Sequence, residues 1–145
     1  MNRNIIVSIA VIVLVILGFV FLKSKEPKRS ETPIENDEIV SENGIHWHPE
    51  LRIFVNHEEI KIPENIGLGQ VHNPIHTHDD LPMIHFEFEG LVRESDITLE
   101  KFFKVWKKDF MEFGPTVTMT VNGQPNTELQ NYIMKDGDKI ELHYE

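Results

Sequence analysis

The sequence predicts an α+β domain in which a mixed sheet of four or five strands packs on one amphipathic helix. An N-terminal transmembrane helix is predicted to precede this domain in the chain. Three observations predict this arrangement. The chain opens with a long uncharged apolar run, short segments after residue 45 alternate apolar and polar side chains, and one segment repeats aromatic residues at helical spacing. Alternation is typical of half-buried strands, and the aromatic spacing indicates a helix with one buried face.

The apolar run extends from Ile5 to Leu22 and is interrupted only by Ser8 and Gly18. Its length is close to the roughly 20 apolar residues that cross a bilayer as a helix. No small-residue cleavage site follows it, and the chain has no cysteine to which a lipid could be attached. The sequence therefore predicts an uncleaved membrane anchor over residues 1–22, which makes the membrane the first expected partner.

Two signals disagree about the orientation of this anchor. Lys23, Lys25, Lys28 and Arg29 follow the apolar run, whereas only Arg3 precedes it, and the positive-inside rule would then keep the C-terminal domain inside the cell. The very short N-terminal tail is instead typical of anchors that export the domain attached to them. On that ground we expect a single-pass protein of the cell membrane whose domain is extracytoplasmic.

Residues 23–44 have the composition of a disordered linker. They are rich in Lys, Glu, Ser, Asn and Pro, and their only aliphatic side chains are Ile34, Ile39 and Val40. Such a segment buries too little apolar area to offset the entropy lost on folding. We therefore expect the folded domain to occupy residues 45–145.

Charge and cysteine content exclude several classes of function. The formal net charge of −10 argues against nucleic acid as a partner, because nucleic-acid binding depends on basic surfaces. Without cysteine there are no disulfides and no thiolate metal sites. A metal ion would have to be held by histidine, carboxylate or methionine. The sequence identifies no small-molecule substrate.

The first half of the domain predicts three strands and one long loop. Residues 45–55 read as a strand with Trp47, Leu51, Ile53 and Val55 on the core side, and a turn at 56–57 leads to a short strand over 58–62. Residues 64–82 read as a loop, and a loop of this length in a small domain usually has a function. Residues 83–89 alternate again and predict the third strand.

The second half predicts the helix and the remaining strands. Thr98 is a suitable N-cap, and the apolar residues after it fall on one helical face; they are Leu99, Phe102, Phe103, Trp106 and Phe110. A strand over 117–121 ends at the turn dipeptide Asn122-Gly123. The next segment contains Pro125 and either returns as a strand or crosses over as a short helical turn. A last strand is predicted over 139–144.

The closing DGD turn and terminal strand resemble the end of β-grasp domains of the ubiquitin and sulfur-carrier kind. The resemblance covers about the last thirty residues. The carrier's C-terminal Gly-Gly is missing, since this chain ends in HYE, so the carrier function is not implied.

The chemistry-bearing residues occur as pairs two positions apart. Alternate side chains of an extended chain point the same way, so each pair presents two metal-binding groups to one side. The candidate ligands are His46, His48, His76, His78, Asp79, His85 and Glu87. Neutral imidazoles suit zinc and copper ions. His57 and His143 are assigned to the surface, and His72 is a borderline candidate.

The same motifs carry a resemblance to an uncharacterised group of small prokaryotic membrane-anchored proteins. The segments concerned are HWHPELRIF, PIHTHDDLPMIHFEFEG and VTMTVNGQPNTELQNYIMKDGDKIELHY. The group is marked by HxH, HTHD and IHxE motifs, and the resemblance covers residues 45–144. This chain departs from the pattern at Leu81-Pro82-Met83, where the group has a glycine. The resemblance supports the site but implies no activity.

Three classes of function remain open on the sequence alone. The first is a membrane-tethered module that captures, buffers or delivers zinc or copper. The second is a metal-dependent enzyme with a three-histidine site, and the third is an interaction domain that binds an envelope protein without metal. A histidine cluster that senses pH, or one that only organises the long loop, is a further alternative.

Overall fold

The computed structural model describes residues 37–145. The predicted anchor and most of the predicted linker lie outside the described residues. Within residues 37–145, no helix has the length and apolar content needed to cross a membrane.

The described residues form an α+β fold with one α-helix, as predicted. The strands are β1 (Ile39–Ser41), β2 (Ile45–Trp47), β3 (Glu50–Val55), β4 (Glu58–Ile60), β5 (Ile75–His76), β6 (His85–Phe88), β7 (Val92–Arg93), β8 (Val117–Val121), β9 (Gln124–Asn126) and β10 (Lys139–Tyr144). The helix α1 spans Leu99–Trp106, and two short 3₁₀ helices span Glu94–Asp96 and Leu129–Asn131.

The largest sheet has five strands in the order β4-β3-β10-β8-β9. The central pair, β3 and β10, is parallel with Leu51 opposite Ile140, and the other neighbours are antiparallel. Leu51, Ile140 and Leu142 are buried in one core with Phe102 and Phe103 of the helix. The alternation seen in the sequence thus corresponds to one buried face of this sheet.

A second sheet of three strands, in the order β2-β6-β5, carries the histidine motifs. The prediction of one continuous strand over residues 45–55 was wrong, because the chain leaves this sheet after Trp47 and enters the five-stranded sheet at Glu50. Pro49 lies at the change of sheet. It has no N–H for a sheet ladder, while its carbonyl accepts a 2.8 Å hydrogen bond from the N–H of Ile84.

The segment predicted to be a loop over residues 64–82 contains strand β5, and it is ordered by Thr77, the residue between two of the histidines. The buried Thr77 hydroxyl donates to the carbonyl of Pro63 at 2.9 Å and accepts from the N–H of Ile66 at 3.0 Å. Gly67 has φ +74° and lies so close to the carbonyl of Ile75 that a Cβ would be 2.3 Å from that oxygen. This loop therefore holds β5 in a fixed position.

The boundary predicted at residue 45 was too late. Strand β1 lies inside the segment expected to be a linker, and it pairs with β7. The Asp37 carboxylate accepts hydrogen bonds from the N–H and the hydroxyl of Ser95, each at 3.0 Å, and the Arg93 guanidinium donates to the Asp37 carbonyl. This segment is ordered mainly by hydrogen bonds, with Val40 packed against the core, which is why its polar composition misled the prediction.

The two predicted hairpin turns are present. Asn56 and His57 have φ of +48° and +70°, and Asn122 and Gly123 have φ of +53° and +76°. Two-residue hairpin turns of type I′ require a positive φ at both residues. The chain after Gly123 returns as strand β9 and then crosses over to β10 through the short 3₁₀ helix Leu129–Asn131, so both alternatives are found in this segment. Pro125 is tolerated there because β9 is an edge strand.

The helix begins as predicted but ends earlier. The Thr98 side chain accepts from the N–H of Lys101, whereas Lys107 has φ +62° and terminates the helix after Trp106. Phe110, expected on the helix, reaches the core from the chain beyond it and is 2% exposed. Trp106 is partly rather than fully buried.

Candidate metal centre

The three-stranded sheet brings the histidine pairs onto one face through its register. His46 of β2 lies opposite Glu87 of β6, and His76 of β5 lies opposite His85 of β6. His85 and Glu87 are two residues apart and share a face of the central strand. The flanking strands therefore add one histidine motif on each side of this pair.

Six of the eight imidazole rings form one continuous cluster. The distances between ring centres are 4.8 Å for His46–His48, 5.0 Å for His48–His85, 5.4 Å for His85–His76, 4.9 Å for His76–His78, 4.9 Å for His78–His85 and 6.5 Å for His72–His76. The rings of His76, His78 and His85 form a closed triangle, because all three pairs of centres are within 5.4 Å. Imidazoles on one tetrahedral ion place their ring centres roughly 5 Å apart.

Two rings of the triangle are oriented by hydrogen bonds. The Nδ1 atom of His76 lies 3.1 Å from the carbonyl oxygen of Asn73. Since a carbonyl can only accept, Nδ1 carries the proton and Nε2 of neutral His76 keeps its lone pair. In the same way Nε2 of His85 donates to the carboxylate of Asp80 at 3.0 Å, which leaves Nδ1 as the ligand atom. Metal-binding histidines are usually oriented in this manner.

Glu87 places a carboxylate beside these nitrogens. One ligand atom from each of His76, His85 and Glu87 lies within 4.8 Å of the others, so this group could hold a metal ion. The two oxygens of Glu87 face different rings. Oε1 lies 3.3 Å from Nε2 of His46, and Oε2 lies 4.0 Å from Nε2 of His76.

Burial differs sharply across the cluster. The His76 side chain is 5% exposed, whereas the His46 side chain is 66% exposed and that of Glu87 is 49% exposed. Desolvation by burial lowers the pKa of His76, which favours the neutral imidazole that metal binding needs. The hydrogen bond from His85 lowers the pKa of Asp80, which keeps that carboxylate ionised.

The DGD turn near the C-terminus fixes the first histidine pair. The N–H of His48 donates to Oδ1 of Asp136 at 2.8 Å. The N–H of Glu50 donates to the carbonyl of Asp138 at 2.7 Å. This turn therefore holds the link between β2 and β3, from which His48 reaches the cluster.

The structure differs from the prediction at two residues, because Asp79 lies outside the cluster and His72 lies at its edge. Asp79 lines a separate surface cleft of about 410 Å³ with Arg52 and Lys61, while its neighbour Asp80 makes the contact with His85. His72, borderline in the sequence, joins the edge of the ring cluster. The adjacent acids of the HTHDD segment were the signal for Asp80, but strand alternation does not indicate which of two loop residues turns inward.

The two histidines assigned to the surface lie elsewhere in the fold. His57 is exposed in the turn between β3 and β4. His143 stacks on Phe54 with ring centres 4.6 Å apart and lies 3.5 Å from a Glu141 oxygen. Replacing these two residues therefore removes two imidazoles from the protein and leaves the cluster intact.

Compared with protein-family models, with curated proteins and with solved structures, the chain matches none of them.

Proposed function

We propose that the folded domain binds zinc or copper ions and captures, buffers or delivers them at the outer face of the cell membrane. Residues 5–22 would tether it there as a single span. The observation that carries the metal-binding proposal is the convergence of six imidazole rings, from three separate segments, on one face of the three-stranded sheet.

The donor set fits such an ion. Two nitrogens bound to one tetrahedral zinc ion lie about 3.3 Å apart, given zinc–nitrogen distances of about 2.0 to 2.1 Å. The 4.0 Å between Nε2 of His76 and Oε2 of Glu87 is close to this spacing, and small side-chain rotations would close the difference. Imidazole and carboxylate ligands also suit Cu²⁺, which binds a given set of such ligands more tightly than Zn²⁺ does.

Exposure favours an exchangeable ion over a structural one. The cluster has a buried inner side at His76 and a solvent-facing outer side at His46 and Glu87. Among residues 37–145, the hydrophobic core contains 19 buried apolar residues, none of which is a candidate ligand. The domain therefore has a core of its own and does not depend on a metal ion for apolar burial, unlike small metal-folded domains.

The strand order supports the β-grasp resemblance. If the five strands of the large sheet are numbered along the chain, their order is 2-1-5-3-4 with the helix between the second and third. This is the connectivity of β-grasp domains. We propose a β-grasp-like domain with an added three-stranded sheet, and membership in the group of membrane-anchored proteins with HxH, HTHD and IHxE motifs.

A metal-dependent enzyme is the second candidate, and one observation favours it. His76 and His85, with the adjoining ring of His78, would provide three protein ligands of the kind found in catalytic zinc sites, which leave one position for water. The half-exposed Glu87 carboxylate beside it could accept a proton from that water. Rapid exchange of the bound water without turnover of any ester, phosphate or bicarbonate substrate would favour the binding module.

Metal titration of the full chain in detergent tests the proposal. Zn²⁺ and Cu²⁺ binding would be measured by calorimetry for the parent and for His76→Ala/His78→Ala. We expect stoichiometric binding by the parent and a loss of at least about tenfold in affinity in the double variant. His57→Ala/His143→Ala is the matched control, since it also removes two imidazoles.

Circular dichroism of each variant establishes that the fold is retained. Equal metal uptake by the parent and His76→Ala/His78→Ala would contradict the proposal, as would a complete lack of binding by the folded parent.

A further inference from the structure

We propose that the cluster holds two metal ions bridged by Glu87, an inner ion at the histidine triangle and an outer ion at His46 and His48. This inference rests on the proposed metal-binding function and concerns how many ions the site takes and how it divides its ligands.

The number of donors exceeds what one ion requires. A tetrahedral zinc ion takes four ligands. The cluster offers six imidazoles and the carboxylate of Glu87, and even without His72, whose ring centre is 6.5 Å from that of His76, five imidazoles remain. A single ion would leave at least one HxH pair without a role.

The inner set is defined by His76, His85 and Glu87, whose ligand atoms lie within 4.8 Å of one another, and the adjoining ring of His78 would supply the fourth donor. His76, His78 and His85 have ring centres 4.9 to 5.4 Å apart. His76 presents Nε2 and His85 presents Nδ1, because their other nitrogens donate to Asn73 and Asp80.

The outer set is defined by His46 and the other oxygen of Glu87. Nε2 of His46 lies 3.3 Å from Oε1 of Glu87, which matches the spacing of about 3.3 Å between two donors on one tetrahedral ion. The His48 ring lies 4.8 Å from the His46 ring. Water would complete this coordination, because the His46 side chain is 66% exposed.

Glu87 lies where a bridging ligand must lie. It is directly opposite His46 in the β2–β6 register, and its second oxygen faces His76 from the other side. A carboxylate that binds one ion through each oxygen is a common feature of sites whose two ions are about 3.5 to 4 Å apart. The negative charge of Glu87, together with that of Asp80, would reduce the repulsion between the ions.

The two positions differ in access to solvent. The inner position adjoins the buried His76, and the outer position adjoins His46, whose side chain is largely exposed. The inner ion should therefore bind first and dissociate slowly, and the outer ion should exchange with solution. Such an arrangement suits a module that accepts and releases metal through its outer position.

The test is a Zn²⁺ titration of the full chain in detergent, with bound ions counted by native mass spectrometry and affinities measured by competition with a chromophoric chelator. We expect two ions per parent chain and one per His46→Ala/His48→Ala chain. Glu87→Gln should weaken both ions, by about 10- to 100-fold, because it replaces the bridging carboxylate by a neutral amide. The matched control, His57→Ala/His143→Ala, should still bind two ions.

A folded parent that binds one ion would overturn this inference and leave the proposed function standing, whereas a parent that binds none would overturn both. Two tight ions in His46→Ala/His48→Ala would overturn the division of ligands. X-ray absorption spectroscopy of the doubly loaded parent needs no variant. A zinc–zinc distance of about 3.5 to 4 Å is expected, and the lack of any such distance would contradict the bridge.

Discussion

The Nε2 atom of His85 lies 3.0 Å from Oδ2 of Asp80, a carboxylate outside the paired motifs. This contact sets the orientation of the ring at the centre of the cluster, since His85 adjoins the rings of His48, His76 and His78. Asp80 therefore positions a candidate metal ligand without being required as a ligand itself.

Replacing Asp80 by alanine should weaken zinc binding by about 10- to 100-fold, which is the usual effect of removing a carboxylate that orients a metal-bound histidine. The affinity would be measured by chelator competition. Asp79→Ala is the matched control, because its side chain lines the separate cleft, and it should bind zinc as the parent does. Equal losses in both variants would contradict the role given to Asp80.

The core should depend on Phe103 more than on Trp106. Phe103 is 1% exposed and contacts Phe110 and Phe113, whereas Trp106 is partly exposed at the end of the helix. We expect Phe103→Ala to lower the free energy of unfolding by about 3 to 5 kcal/mol, and Trp106→Ala by less. Denaturant unfolding measures both. A larger loss for Trp106→Ala would contradict the packing described for the helix.

The metal-free protein should lose stability in mild acid through His76. Burial lowers the pKa of His76 below 6.5 and outweighs the carbonyl of Asn73 and the Glu87 carboxylate, which raise it; His78 and His85 lower it further. The unfolded chain then binds this proton more tightly than the folded one, so stability rises with pH in this range. The contribution is complete above about pH 6.5 and is lost as the pH falls through the lowered folded-state pKa.

Denaturant midpoints of the metal-free chain at several pH values between about 7.5 and 5 would measure this effect. His76→Gln should show a smaller decrease over the same range, because glutamine does not titrate. Identical pH profiles for the parent and the variant would show that His76 contributes nothing to acid sensitivity.

Deletion of residues 1–22 should give a folded, water-soluble protein, because residues 37–145 contain a hydrophobic core of their own. Cooperative thermal unfolding and a monomer-sized elution volume would confirm this. Aggregation would contradict the division into anchor and independent domain.

In the full chain, a reporter fused after Glu145 should be active only outside the cytoplasm, and activity of a cytoplasmic reporter would reverse the proposed orientation.

The face assignments could be predicted from the sequence because period-two alternation maps directly onto a sheet. Leu51, Ile53, Ile84 and Phe86 are buried as their spacing indicates. The pairing of strands could not be predicted in this way. Nothing in the alternation of residues 45–55 shows that the chain changes sheets at Pro49, and this change is what places β2 beside β6.

The site was predictable as a set of pairs but not as a cluster. The HxH spacing puts two rings on one side of an extended chain, yet the convergence of three segments depends on long-range pairing of His46 with Glu87 and of His76 with His85. Asp37 and Thr77 show the same limit. Each orders its segment through hydrogen bonds that hydrophobic patterning does not detect.

The most direct test of a metal centre on this sheet is an anomalous difference map, recorded at the zinc absorption edge, from crystals of the zinc-loaded protein. The strongest peak should lie about 2.0 to 2.1 Å from both Nε2 of His76 and Nδ1 of His85. A zinc peak at His57 or His143 with none at His76 and His85 would contradict the account.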